Sequence, residues 1–226
     1  MTYILSIETA TNVCSVALHC DGAVLGHQEL FVEKSHSGLL TVIINDLTCH
    51  CGISLNELSA IAVSEGPGSY TGLRIGISTA KGLCYSLGIP LISVNTLEAM
   101  LWSVLPFMRE DHLFCPMIDA RRMEVYCLIA DRDGVVIKPT HPKVISESSF
   151  IEVIKDKRII LFGDGALKCK EVLRGPNILF IDNILPNAKN IGQLALAKYA
   201  NMEFEDVAYF EPFYLKDFKP MHSKSI

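Results

Sequence analysis

The residues richest in potential chemistry run from Ser64 to Gly76: Ser64-Glu65-Gly66-Pro67-Gly68-Ser69-Tyr70-Thr71-Gly72-Leu73-Arg74-Ile75-Gly76. This segment leaves an apolar strand and enters a helical pattern, so its backbone N–H groups and the helix N-terminus could hold an anion or a carbonyl. An isolated Gly-Pro-Gly would be an ordinary strand-to-helix turn, but here Gly72 and Gly76 also lie one helical turn apart. Each glycine inside a helix costs about 1 kcal/mol relative to alanine, so something approaches the backbone closely there. A second protein chain is the favoured candidate and packing within the chain the alternative. Elsewhere the sequence has no G-x-S-x-G elbow, no P-loop with its lysine and no H-E-x-x-H. Ser69 follows Gly68 but lacks the glycine two positions on that an elbow requires. Cys49-His50-Cys51 has no second C-x-x-C pair at finger or ribbon spacing, so no metal site is expected. His36 reads as a surface or capping residue. Arg121 and Arg122 read as solvated hairpin residues that could also meet a partner or a phosphate, and Gly163-Asp164-Gly165 as a tight turn.

These residues must be positioned by strands and helices whose order occurs twice. Residues 3–18 are a β-rich run broken by Glu8-Thr9-Ala10-Thr11-Asn12, and Asp21-Gly22 turns the chain into a third strand, residues 23–32. Asp-Gly between alternating apolar runs is a strong hairpin signal because the glycine accepts positive φ. Later, residues 113–118, the turn Asp119-Ala120-Arg121-Arg122-Met123, residues 124–130, and Asp133-Gly134 leading into 135–137 repeat the pattern. Glu8 and Asp119 occupy matching positions. After the first triplet, residues 37–49 place Leu39, Leu40, Ile43, Ile44 and Leu47 on one helical face, with Ser35 or Ser37 as N-cap. A strand at 60–64, the glycine-rich turn, a helix at 71–87 and a strand at 91–94 follow. In the 71–87 helix, Leu73, Ile77, Ala80, Cys84 and Leu87 make the packing stripe, beside a second row of Arg74, Ser78, Lys81 and Tyr85. After the second triplet come a helix at 148–155, a strand at 159–162 and a helix at 166–173. A short helix at 96–102 precedes a boundary at 103–106, and a helix at 191–200 is expected to complete the second lobe.

Half the residues are hydrophobic and a fifth charged, the balance of a well-buried globular chain. Residues 1–10 carry no basic leader before their apolar residues, and no uncharged apolar run approaches the roughly 20 residues that cross a bilayer. A cytoplasmic protein without membrane association is expected, with its eight cysteines as small buried thiols. The net charge of −5 argues against this chain gripping nucleic acid alone.

The 64–76 segment resembles the Gly-Pro-Gly-Ser-Tyr-Thr-Gly-Leu-Arg signature of the TsaB proteins. The resemblance extends over nearly the whole chain: Ile7-Glu8-Thr9-Ala10, Ser35-His36-Ser37, Asp119-Ala120-Arg121-Arg122-Met123-Glu124-Val125-Tyr126, and Glu211-Pro212-Phe213-Tyr214-Leu215-Lys216. It implies an α/β fold of two similar lobes of the actin, hexokinase and heat-shock-protein-70 ATPase (ASKHA) superfamily, residues 1–104 and 105–226, with the second lobe reduced. It also implies a non-catalytic partner of TsaD, the enzyme that transfers threonylcarbamoyl onto the adenosine beside the anticodon of tRNA, in an assembly with the ATPase TsaE.

TsaD binds metal through an H-x-x-x-H pair on a helix, whereas here His36 is followed four positions later by Leu40. ATP-using relatives carry an aspartate on the first strand turn, where this chain has Glu8. The resemblance therefore implies no catalytic residues and no intrinsic cofactor, leaving open an ATP or ADP at the junction with TsaD. The loops that could face it carry Glu8, Thr9, Gly66, Gly68, Ser69, Asp119, Arg121, Gly163 and Gly165. Ser35, His36, Tyr70, Thr71, Gly72, Arg74, Gly76 and Ser78 would form the partner face, which also serves self-association into a homodimer, and tRNA would be met only through the complex. An autonomous ATPase or kinase of the same superfamily and a metallopeptidase-like hydrolase are the competing readings.

Overall fold

Ile4, Leu5 and Ile7 present apolar surface to both faces of their strand, which places that strand in the middle of a covered sheet. A computed structural model describes residues 1–31, 36–108, 110–153 and 157–216. In chain order, β1 (Tyr3–Glu8), β2 (Cys14–Cys20), β3 (Ala23–Leu30), α1 (His36–His50), β4 (Ala60–Gly66), α2 (Tyr70–Leu87) and β5 (Leu91–Asn95) build a sheet of order β3-β2-β1-β4-β5. The hairpin pairings are antiparallel, and those of β1 with β4 and β4 with β5 are parallel. After α3 (Thr96–Leu101), a second sheet follows from β6 (Leu113–Asp119), β7 (Glu124–Ala130), β8 (Val136–Val144), β9 (Ile159–Phe162), α4 (Asp164–Leu167) and β10 (Ile178–Ile181). Its order, β10-β9-β6-β7-β8, has the same parallel and antiparallel pattern. The duplication expected from the sequence is thus present in the topology, and β10 completes it although the sequence reading assigned no strand there.

Alternation along β1 separates two layers. Leu5 and Ile7 join Leu40, Ile43, Ile44, Leu47, Ile77 and Cys84 in the layer beneath α1 and α2. Ile4, with Ala60, Ala62, Ile92 and Val94, packs on Ile191 and Ala195 of α5 (Ala188–Ala200). The C-terminal helix therefore covers the first sheet and does not complete the second lobe, as its sequence position had suggested. The helix between the sheets makes the complementary exchange: Leu97, Met100 and Leu101 of α3 pack with Phe114, Ile118, Leu128 and Phe162. Each sheet is finished by a helix that the chain order assigns to the other half.

The second half is reduced, and two helices expected there are corrected. Residues 147–153 form successive turns in place of the helix expected at 148–155, whose last residues lie partly outside the described set. Phe150 has φ +71 and a buried ring, and the N–H of Ser146 donates to the Ser149 hydroxyl at 3.0 Å. Local serine bonds compete with a helix here and win. The helix expected at 166–173 is the single turn α4, after which the backbone closes three-residue turns that still deliver Cys169 and Leu173 to the core. In the first half α1 begins at His36, so Ser37 lies inside the helix, and Ser35, the other N-cap candidate, lies outside the described residues. No helix of the described residues is long and apolar enough to cross a membrane.

Candidate functional site

The turn after β1 carries the first nominated acid into the interior. Glu8 is fully buried; its Oε1 accepts the Ala10 N–H at 2.6 Å and the Ser64 hydroxyl at 2.9 Å, while Oε2 has no partner among the described residues. Burial away from water pushes its carboxyl up to about 7, against the stabilising bonds from Ala10 and Ser64. Thr9 is buried beside it and its hydroxyl donates to the Gly72 carbonyl at 2.8 Å.

This turn is what approaches α2. A Cβ on Gly72 would stand 2.1 Å from the Thr9 carbonyl oxygen, one on Gly76 2.3 Å from the Thr9 Oγ1, and one on Gly68 2.4 Å from the Ala10 carbonyl oxygen. The helical glycines expected to admit a partner chain instead seat the chain's own β1–β2 turn, so Gly72 and Gly76 belong to the interior. Ser69 completes the seat: its N–H donates to Ala10 at 2.6 Å, and its Oγ caps α2 by accepting the Gly72 N–H at 3.3 Å. Gly66, at φ +118, lies under the C-terminal segment, where its Cβ would meet the Phe213 carbonyl oxygen at 3.0 Å.

The corresponding turn after β6 is built differently. Asp119 is exposed, and its Oδ1 accepts the Arg121 N–H at 2.6 Å and the Lys168 ammonium at 2.5 Å. Lys168 also donates to the carbonyls of Arg122 and Glu124, each at 2.6 Å. Asp164 accepts the Asp119 N–H at 3.2 Å, and burial raises its carboxyl above the usual range. Gly163 and Gly165 lie against the β6 backbone, with added Cβ atoms 2.1 Å from the Met117 carbonyl oxygen and 2.7 Å from the Ile118 carbonyl carbon. Arg121 and Arg122 are exposed with φ of +69 and +50.

On the outer side of α1 and α2 the nominated partner residues divide. Thr71, Arg74 and Ser78 are exposed and Tyr70 half-buried, and with Ile75 they line a shallow depression. His36 is buried, with Nε2 2.8 Å from the Thr11 carbonyl oxygen, and Leu40 below it is in the core. His36 is therefore an interior hydrogen-bonding residue and not the surface or capping residue expected. Ser35 lies outside the described residues. Sequence reasoning placed Tyr85 in the row with Arg74 and Ser78 but did not nominate it, and it singled out none of Val42, Gly38 and Gly82 on this surface. Val42 is exposed on α1 and Tyr85 is 86% exposed on α2, while Cβ atoms on Gly38 and Gly82 would meet nothing among the described residues within 4 Å. Gly82 lies six residues beyond Gly76, off the four-residue spacing of Gly72 and Gly76 and on the opposite, outer side of α2.

The eight cysteines are free thiols; five are buried, but Cys49 is exposed and so departs from the expected burial. Among the described residues, no three His, Cys, Asp or Glu side chains come together in a way that could hold a metal ion.

The family model TsaD, tRNA N6-adenosine threonylcarbamoyltransferase, matches residues 30–210. The tRNA threonylcarbamoyladenosine biosynthesis protein TsaB of Escherichia coli is 31% identical over 95% of this chain and 94% of its own length. The solved structure of YeaZ from Pseudomonas aeruginosa superposes with a TM-score of 0.81 at 25% identity, covering 95% of this chain and all of that one. A nucleotide-bound activator of 2-hydroxyisocaproyl-CoA dehydratase from Clostridium difficile shares the fold alone, with a TM-score of 0.54 and 10% identity over 91% of this chain and 99% of that one. With a family model spanning most of the sequence, a curated relative aligned almost end to end and the doubled β-sheet topology in place, this chain belongs to the TsaD family and, within it, to the TsaB proteins.

Proposed function

We propose that this chain is a non-catalytic subunit of tRNA threonylcarbamoyladenosine biosynthesis, supporting a TsaD-type threonylcarbamoyltransferase in a complex that also contains TsaE. The observation that carries the reading is the fate of the residues that catalytic relatives would use. His36 is bonded to Thr11 and its would-be partner position is core Leu40. The acid at the first turn is sealed beneath Ala10 and Ser64. The first-half loop nominated for phosphate fits that task poorly, because Gly68 is filled by the chain's own turn and Gly66 lies under Phe213. A nucleotide enters the proposal only at the junction with TsaD, where the partner would supply most of its contacts, and tRNA is met through the complex.

What remains available is a surface. Solvent-facing Gly82 lies inside α2, where it forgoes about 1 kcal/mol of helix stability with no neighbour among the described residues to account for it, and Gly38 leaves the first turn of α1 equally open. Val42 and Tyr85 add exposed apolar area on the same two helices. A partner helix packed closely against α1 and α2 explains all four, and the same surface would serve a homodimer of the isolated protein.

The test is reconstitution of tRNA threonylcarbamoylation from purified TsaD, TsaE and TsaC, the enzyme that makes the threonylcarbamoyl adenylate, with and without this chain and with a Gly82→Leu variant. Modification should require the chain. The variant should fold at least as stably as the wild type, since the added side chain enters open space, yet fail to support modification. Modification that proceeds without the chain, or ATP or peptide turnover by the isolated chain, would overturn the proposal.

A further inference from the structure

After α5 the chain returns to the first sheet. Val207 and Phe210 pack on its core, and the Lys81 ammonium donates to the carbonyls of Ala208 at 3.2 Å and Phe210 at 2.9 Å. The Phe213 N–H then donates to the Glu65 carbonyl at 2.8 Å, which delivers Tyr214 over the first turn of α2. The Tyr214 ring stacks on Tyr70, with centroids 4.8 Å apart and planes inclined by 27°. Arg74, one turn along, lies over the same Tyr70 ring at 4.3 Å, and its Nε–H donates to the Tyr214 hydroxyl at 3.2 Å.

The guanidinium is thus held from two directions on an exposed surface. Arginine carries about 2 kcal/mol of rotamer entropy, and a fork already fixed in place loses less of it when a ligand binds. Among the described residues no carboxylate forms an ion pair with it. Glu211 on the same tail acts on its charge without an ion pair between them. Arg74 therefore stands as an oriented cation at the edge of the depression formed with Thr71, Ile75 and Ser78. The nearby Lys81 is occupied by main-chain carbonyls, so among the described residues the depression offers one positive charge, the hydroxyls of Tyr70, Thr71 and Ser78, and the apolar side of Ile75. A single carboxylate on an aliphatic stem matches that set: the guanidinium fork and hydroxyls for its oxygens and the apolar side of Ile75 for its stem.

We propose that Tyr214 is a positioning residue that holds Arg74 for an aspartate or glutamate side chain of the TsaD-type subunit, making the C-terminal tail a working part of the docking surface. This rests on the functional reading above and adds to it the chemistry of the contact.

The experiment is a titration of the full-length chain against the purified TsaD-type subunit over a range of salt concentrations. Arg74→Gln should raise Kd about tenfold and flatten its salt dependence. Tyr214→Phe keeps the ring stack and removes the hydroxyl; it should raise Kd about threefold with an unchanged thermal midpoint. Added to Arg74→Gln, it should change nothing further. If Tyr214→Phe leaves Kd alone, or acts equally in the Arg74→Gln background, the positioning role is wrong while the partnership stands. Inorganic phosphate that binds the isolated chain and is lost on Arg74→Gln would overturn the carboxylate assignment. Absence of any binding by the wild-type chain would overturn the partnership as well.

Discussion

The turns after β1 and β6 occupy the same place in two sheets of the same topology, yet they hold their acids in opposite ways. Glu8 is dry, bonded to a hydroxyl and a main-chain N–H, and has no ion pair among the described residues; Asp119 is wet and paired with Lys168. Both are seated on glycines that bring a second backbone within van der Waals contact, Gly68, Gly72 and Gly76 in one case and Gly163 and Gly165 in the other. Duplication has therefore preserved how each turn is seated while the chemistry above it diverged. The first turn has become part of the core under the proposed partner surface, and the second remains a solvent-facing hairpin tied down by one lysine.

The largest expected effect breaks the first seat. Gly72→Ala places a methyl group 2.1 Å from the Thr9 carbonyl oxygen, a main-chain atom that cannot rotate aside, and displaces the Thr9 hydroxyl from its bond to residue 72. Overpacking of this kind costs about 3 kcal/mol or more. A denaturant titration checks it. An effect below about 1 kcal/mol would mean that the turn moves freely off α2 and that the two seats differ more than their backbones suggest.

The acids themselves should separate by pH. Glu8 has its carboxyl held at about 7 in the folded chain against an ordinary value of 4.5. Between those values the folded chain keeps a proton that the unfolded chain has released, so stability falls as pH rises through this window and levels off above it. The loss is on the order of 3 kcal/mol by pH 8. Glu8→Gln should remove that slope and leave the protein more stable than wild type at pH 8. Asp119→Asn should change stability by less than about 1 kcal/mol, since its partner is a partly exposed lysine. Unfolding midpoints measured from pH 4.5 to 8.5 decide it, and parallel curves for wild type and Glu8→Gln would show that the carboxyl is hydrated in solution.

Much of this comparison was legible in the sequence, and the rest was hidden for identifiable reasons. The strand triplets announced themselves through continuous apolar runs and Asp-Gly turns, because sheets covered on both faces demand such runs. The short edge strand β10 is only partly buried and carries no such demand. The spacing of Gly72 and Gly76 signalled close approach but not what approaches, since a helix records the room left for a neighbour and not the neighbour's identity. The destination of α5 was illegible for a similar reason: the stripe through Ile191 and Ala195 would fit either sheet. Tyr214 was visible in the tail motif, but its bond to Arg74 spans 140 residues and no local pattern encodes it.

The smallest expected effect sharpens the contrast from the solvent side. Arg121 is exposed at φ +69, has no ion pair among the described residues, and contributes its N–H to Asp119, a bond that glycine would retain. Left-handed backbone costs a non-glycine residue roughly 1 kcal/mol, which Arg121→Gly would recover. Glycine's greater freedom in the unfolded chain removes about 0.5–1 kcal/mol of that gain. The two terms nearly cancel, and the variant should match wild-type stability within about 0.5 kcal/mol in a denaturant titration. A loss above about 1 kcal/mol would assign the guanidinium a folded-state task that no contact in the hairpin provides, and the second turn would then be tied into the fold by its side chains as firmly as the first.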